Sequence, residues 1–322
     1  MVYRNAGLCG AMAEAKIPTE GQGMRRRTFN WTEKQRDKLH KVQDILQELA
    51  EYKPLTLRQI YYQLVGKGFI ENTTSQYGML SKLVKWGRID GEIPWEDMED
   101  RLRTFRNAAG WTDDKAFIAD ELGNFLRGYR RDLLQTQEKY IEVWIEKDAL
   151  RSIFKRVCHS YCVSVIVCRG FTSVSVLNDF RERLLYYRGR DPVMLYFGDF
   201  DPSGVEMLPA MRTTLEEELG VTGVTFKRIA LLKGDIQKYR LPHNPSALKR
   251  KDTRTTKHVE AHGEVAVELD ALRPDILEGK IRKAIDSELD AKAFRREVAT
   301  HRREIDKLDQ LKEEVEEFIE NR

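Results

Sequence analysis

The sequence predicts a parallel α/β domain preceded by a mainly helical one, on three observations. From residue 140 onward, short apolar runs at 141–145, 163–167 and 193–197 alternate with amphipathic stretches that run to 157, from about 173, and from 203. Such alternation builds a parallel sheet covered by helices on both faces. Upstream, three successive stretches between residues 31 and 86 carry apolar residues at the helical period. The chain, at 322 residues, is long enough for two cores of ordinary size.

Composition narrows the class. Hydrophobic residues make up 41% of the chain, and no apolar run approaches the ~18 residues that span a bilayer, so no membrane partner is expected. A secretory leader is not recognisable either, and the expected location is the cytoplasm. Charged residues reach 33% while the net charge is only +3, so a nucleic-acid partner has to be argued from local patches. Four cysteines in a chain of this size fit reduced thiols. The run Cys158-His159-x-x-Cys162, with Cys168 beyond it, invites a zinc reading, but the spacing fits no paired-knuckle pattern, and small core residues are the better account.

Residues 1–30 lack periodicity and read as a flexible tail, with Met24 an alternative start and Arg25-Arg26-Arg27 a solvated cluster. A helix follows over 31–50, opened by the capping-box pair Thr32 and Gln35, with Leu39, Val42, Leu46 and Leu49 inside. A second helix begins near Thr56, and a third runs from the Asn72-Thr73-Thr74 loop to about Trp86 with Tyr77, Leu80 and Val84 inward. Its opposite stripe is Gly78, Ser81, Lys85 and Arg88. Gly91 to Pro94 marks a turn and short ribbon. Three helices and a small wing form a winged-helix plan over 31–100, in which the third helix enters a DNA major groove. Ser81, Lys85 and Arg88 would face phosphate, although a solvated face would look the same. Residues 101–139 read as a helical connector, with a helix over 113–135 that buries Phe117, Leu122, Phe125, Leu126 and Tyr129.

The sheet domain spans 140–290. Its third strand ends in Gly198-Asp199-Phe200-Asp201, and residues two apart on an extended backbone project together, so Asp199 and Asp201 point the same way. Pro202-Ser203-Gly204 stops the strand, with Ser203 a candidate cap for the next helix. Alone, this is as easily a solvated turn as a metal site. The first strand, however, ends in Glu146-Lys147, and functional groups of such sheets gather at strand carboxyl ends. Glu146, Asp199 and Asp201, three acids with no basic partner apparent in the sequence, describe a Mg²⁺ site acting on phosphates. Arg169-Gly170 would bring a cation and close backbone approach to the same crevice. The basic segment 246–258, with Lys249, Arg250, Lys251, Arg254 and Lys257, suits phosphate binding and simple solvation equally. Val265, Val267 and Leu269 alternate as a strand with Glu268 and Asp270 on its other face, supporting the site at most. Residues 291–322 form a charged helix whose Leu308, Leu311, Val315 and Phe318 suit docking or pairing with a second copy.

In the second helix, Leu57, Ile60, Tyr61, Leu64 and Val65 share one apolar face at 100° per residue. Tyr62 falls outside it, beside Arg58, which places Tyr61 in the core and Tyr62 in solvent next to a guanidinium. A cation there would favour the phenolate and grip a phosphate under attack, while a tyrosine that merely contacts DNA would read alike.

Glu146-Lys147 followed about fifty residues later by GDFDPSG closely resembles the Toprim domain of topoisomerases, primases and several nucleases. With Arg58-x-Ile60-Tyr61-Tyr62 upstream, residues 31–240 resemble the A subunit of DNA topoisomerase VI and its meiotic double-strand-break relatives. The chain is nearer in length to the short "mini-A" versions found with mobile elements. The resemblance implies that Tyr62 attacks the DNA backbone, leaving a 5′-phosphotyrosyl link, with Arg58 assisting. Glu146 is then the first-motif acid, and Asp199 and Asp201 are the metal pair. It further implies double-stranded DNA as substrate and a homodimer in which one protomer's tyrosine meets the other's acids. No Gly-rich nucleotide loop is present, so ATP-driven strand passage would need a separate ATPase B-type subunit. Two other readings stand beside this one: a hydrolytic Toprim nuclease in which Tyr62 only contacts DNA, and a non-catalytic DNA-binding protein.

Overall fold

A computed structural model of the chain describes residues 29–98, 111, 113–168, 170, 172–248 and 253–320. The helical part contains α1 (Glu33–Glu48), α2 (Leu57–Gly66) and α3 (Thr74–Ile89). Each begins at a threonine whose hydroxyl accepts a backbone N–H. Thr32 with Gln35 and Thr56 with Gln59 complete reciprocal capping boxes, which fixes where α1 and α2 start. Leu39, Val42, Leu46 and Leu49 are buried, as the periodicity requires. After α3 the chain makes a turn and a 3₁₀ segment, Trp95–Asp97, in place of a ribbon. Its one strand-like contact among the described residues is the Leu55–Met98 bridge.

The expected helix over 113–135 is only α4 (Asp114–Asn124), and Phe117, Phe125 and Tyr129 are exposed where burial was expected. Leu126 adopts positive φ and stops any continuation.

The sheet comprises β1 (Lys139–Ile145), β2 (Ser164–Val167), β3 (Asp191–Phe197) and β4 (Thr225–Ala230), all parallel in the order β2-β1-β3-β4. α5 (Arg151–Tyr161) and α6 (Val174–Tyr186) follow β1 and β2, and α7 (Pro202–Thr213) follows β3. Beyond β4 come α8 (Lys233–Tyr239), α9 (Thr253–His262), α10 (Pro274–Asp286) and α11 (Ala291–Glu320). Strand alternation divides the core. Ile141, Val143, Ile145, Val193, Leu195 and Phe197 face α5 and α10, while Trp144, Met194 and Tyr196 face α6 and α7. The first of these cores runs on through Val267, Leu269 and Leu272 to Ile60 and Leu64 of α2, so the tyrosine helix and the sheet share one apolar interior.

Several expectations are corrected. The sequence reading did not pick out β4, an edge strand carrying Lys227 and Arg228. Residues 265–269 make a single antiparallel bridge, Val267 to Phe200, and then a 3₁₀ turn, so no further strand forms there. The basic segment 246–258 becomes helical from Thr253. Cys158 and Cys168 are buried, and burial pushes their thiols up to about 12 and about 11. No cluster of potential metal ligands forms around them among the described residues. No described helix is long and apolar enough to cross a membrane.

Away from the strand ends that carry the acids, Glu288 accepts from Lys139 Nζ at 2.9 Å and Lys227 Nζ at 2.5 Å, tying the start of β1 to β4. Burial raises this carboxyl, but the two ammonium groups outweigh it and hold it below its ordinary value. The folded chain therefore binds this proton more weakly than the unfolded one. The stability the pair contributes is complete above about pH 4.5 and fades as pH falls. Glu288→Gln should cost about 1–3 kcal/mol at pH 7, and less towards pH 3, in urea unfolding.

Candidate active site

β1 and β3 are paired through Ile145 and Phe197, and the ladder continues one step as the Glu146 N–H donates to Phe197 O at 3.0 Å. That register sets Glu146 beside Gly198 and Asp199. Glu146 Oε2 accepts the Asp199 N–H at 2.8 Å and the Tyr196 hydroxyl at 3.4 Å. The glycines of GDFDPSG permit this closeness. A Cβ on Gly198 would stand 2.3 Å from Tyr196 Oη and 2.8 Å from Glu146 Oε2, and one on Gly204 would stand 2.3 Å from the Asp199 carbonyl oxygen. Because a backbone atom cannot swing aside, Gly204→Ala should cost about 3 kcal/mol or more, or open the crevice, as read by urea unfolding.

Asp201, and not Ser203, caps α7. Its Oδ1 accepts the Gly204 N–H at 2.7 Å, and Pro202 fills the first helical position. Asp199 Oδ1 accepts the Leu269 N–H at 2.8 Å, and its Oδ2 pairs with Lys147 Nζ at 2.9 Å. The acids therefore have a basic partner, in the residue directly after Glu146. Lys147 also reaches Glu268 Oε2 at 2.6 Å and Asp270 Oδ2 at 3.0 Å. The 265–271 segment, anchored by its bridge to Phe200, brings those two acids in. Arg228 closes the turn from the other side, donating to the carbonyls of Gly198, Asp199, Gly204 and Leu231.

Tyr62 is placed differently from the helical-wheel expectation. It is 4% exposed, as buried as Tyr61, and it shares a cleft with Glu268, whose charge acts on its phenol. Arg58 does not face the phenol alone. Its Nη1 pairs with Glu268 Oε2 at 2.6 Å, while Asn244 Nδ2 donates to Oε1 at 2.8 Å. Burial, then the charge of Glu268 beside it, hold the Tyr62 phenol well above its ordinary value, so the expected phenolate is not favoured in this state. Tyr62, Arg58, Glu268, Thr73, Tyr77 and Ser246 line an open cleft of about 450 Å³.

Ser81 and Lys85 lie exposed on the outer face of α3. Arg88 is instead structural: its guanidinium stacks on Trp95, 4.3 Å from the ring centroid, and donates to the Trp95 and Met98 carbonyls. Arg169, Lys249, Arg250 and Lys251 lie outside the described residues. Lys147 stood in the sequence motif beside Glu146 with no role given to it, and Arg228 had no signal there. Glu268 and Asp270 were visible as an i, i+2 pair, but nothing in the sequence tied them to Lys147.

In charge, the crevice holds five carboxylates (Glu146, Asp199, Asp201, Glu268 and Asp270) against the cations Lys147, Arg58 and Arg228. The shortage shows in the acids. Burial raises Glu146, and Asp201 adds to that. Burial, with Glu146 beside it and despite Lys147, pushes Asp199 up to about 7. A hard divalent cation matches the oxygen donors and the missing charge. As arranged, no three ligand side chains among the described residues are drawn together closely enough to hold an ion, and Lys147 stands 2.9 Å from Asp199 Oδ2.

No family model matches the chain, and no curated protein matches it. Fold and site together define an α/β protein with an acidic, lysine-bridged crevice at the carboxyl edge of a four-stranded parallel sheet. A buried tyrosine of a packed helical unit is held against one rim of that crevice.

Proposed function

We propose that the chain is a DNA-cleaving transesterase of the topoisomerase VI A type, with a Toprim domain over 140–290, a winged-helix domain over 31–100, and Tyr62 as nucleophile. The observation that carries the reading is that Tyr62 and Glu268 stand side by side in one cleft, with Glu268 itself held by Lys147 and Arg58. A nucleophile set beside a base that a third group orients is the arrangement covalent catalysis uses.

On this reading, Tyr62 Oη attacks the phosphorus of a duplex phosphodiester and its proton passes to Glu268. The 3′ oxygen leaves and takes up a proton, and the 5′ phosphate stays on Tyr62. Arg58, at the same cleft, steadies the phosphate oxygens. Glu146, Asp199 and Asp201 would hold Mg²⁺, which when bound supplies charge neutralisation at the phosphate. Two strands require two tyrosines, hence a homodimer, and strand passage would call on a separate ATPase B-type subunit.

Because Tyr62 meets Glu268 of its own chain, the geometry favours a site completed within one protomer over the inter-protomer site that the resemblance implies. Mixing Tyr62→Phe and Asp199→Asn proteins tests this. A site within one protomer gives no plasmid nicking from the mixture, whereas an inter-protomer site restores nicking in the mixed dimers.

The burial of Tyr62 favours a second reading, a hydrolytic Toprim nuclease in which water attacks and Tyr62 only contacts DNA. Its cleaved ends would carry no protein, and Tyr62→Phe would remain active.

A further inference from the structure

Three of the five carboxylates of the crevice share a single ammonium group. Lys147 Nζ stands 2.9 Å from Asp199, 2.6 Å from Glu268 and 3.0 Å from Asp270, and its side chain is largely buried. Both oxygens of Asp199 are engaged, Oδ1 by the Leu269 N–H and Oδ2 by Lys147. A cation that takes Asp199 as a ligand therefore meets Lys147 at the same oxygen. Two positive charges so close, away from water, repel strongly.

The crevice also offers the ammonium a place to retreat. Asp270 is fully buried, its Oδ2 stands 3.0 Å from the same ammonium, and its Oδ1 has no hydrogen-bond partner. A buried carboxylate with one oxygen still unpartnered gains from fuller engagement by a cation. Glu268, in contrast, is already served by Arg58 and Asn244.

We infer that Lys147 is an internal rival of the divalent ion at Asp199, and that metal loading drives its ammonium off Asp199 towards Asp270. The inference rests on the proposed reading of Glu146, Asp199 and Asp201 as metal ligands. It makes Lys147 a positioning residue, one that keeps the unloaded crevice neutralised and must yield before it is loaded. Since Glu268 shares the same ammonium, the displacement is felt by the carboxylate beside Tyr62.

A purely structural lysine and a rival predict opposite signs. If Lys147 only holds the crevice in shape, removing it loosens the ligands and weakens metal binding. If it competes, removing it tightens metal binding. Mg²⁺ affinity of the full chain is measured by calorimetry at pH 8 for wild type, Lys147→Met, and Lys147→Met/Asp270→Asn, the last removing one negative charge with the positive one so that the fold is kept. The double variant should bind Mg²⁺ roughly ten-fold tighter than wild type or better, with a larger Mg²⁺-induced rise in melting temperature. Asp270→Asn alone, which removes the refuge, should bind more weakly than wild type. Affinity of the double variant equal to or below wild type overturns the inference. Asp199→Asn separates the two layers. If it binds Mg²⁺ as wild type does, the ion sits elsewhere and the metal-site reading falls too. If it abolishes binding while the double variant shows no tightening, only the role of Lys147 falls.

Discussion

Tyr62→Phe should abolish the covalent protein–DNA adduct, a loss of about 10⁴-fold or more in strand cleavage, while leaving the protein folded. The phenol ring packs in the interior shared by α2 and the sheet, and phenylalanine keeps that packing. The lost hydroxyl leaves Glu268 with Lys147, Arg58 and Asn244, so no buried charge is orphaned and stability should change by no more than about 1 kcal/mol. Tyr61→Phe is the internal control. Its hydroxyl bonds Asn72 and the Thr73 carbonyl, each at 3.1 Å, across the α2–α3 turn. That substitution should cost about 1 kcal/mol in urea unfolding and leave the chemistry intact.

The second large effect is expected at Glu268. Glu268→Gln keeps the shape but removes the group that takes the tyrosine proton, and cleavage should fall by about 10²–10⁴-fold. Burial raises the Glu268 carboxyl, but Lys147, Arg58 and Tyr62 outweigh it and keep it ionised at neutral pH. A neutral amide cannot replace that charge. In the glutamine variant Lys147 still has Asp199 and Asp270, so the fold should persist, and circular dichroism with a single-turnover cleavage assay separates the two outcomes. If Glu268→Gln cleaves at the wild-type rate, Glu268 is not the base.

The sheet was readable from sequence because its central strands are mostly apolar, broken in β1 only by the buried Glu142, as a sheet covered on both faces demands. Glu146, Asp199 and Asp201 were readable because parallel topology gathers strand ends, and the structure brings all three to one edge. What the sequence concealed was mostly non-local. β4 reads Thr-Phe-Lys-Arg-Ile-Ala, with Lys227 and Arg228 side by side at its centre, so neither an apolar run nor a two-residue alternation marks this edge strand. Glu268 and Asp270 reach Lys147 only because the single bridge from Val267 to Phe200 folds their segment over the strand ends. Tyr62 shows the limit of a helical wheel. The wheel gives the face of α2 that Tyr62 occupies, but not that a second element covers that face. The capping threonines, in contrast, act within four residues, and Thr32 was legible at once.

The most direct test of the central claim is the fate of a supercoiled plasmid incubated with the protein and Mg²⁺, quenched in detergent and digested with trypsin. Transesterification predicts linear or nicked DNA whose 5′ ends carry a peptide containing Tyr62, identified by mass spectrometry after nuclease treatment, and no such peptide from Tyr62→Phe. Cleaved DNA with free 5′ phosphates and no attached peptide would contradict the account and leave hydrolysis as the chemistry of the site.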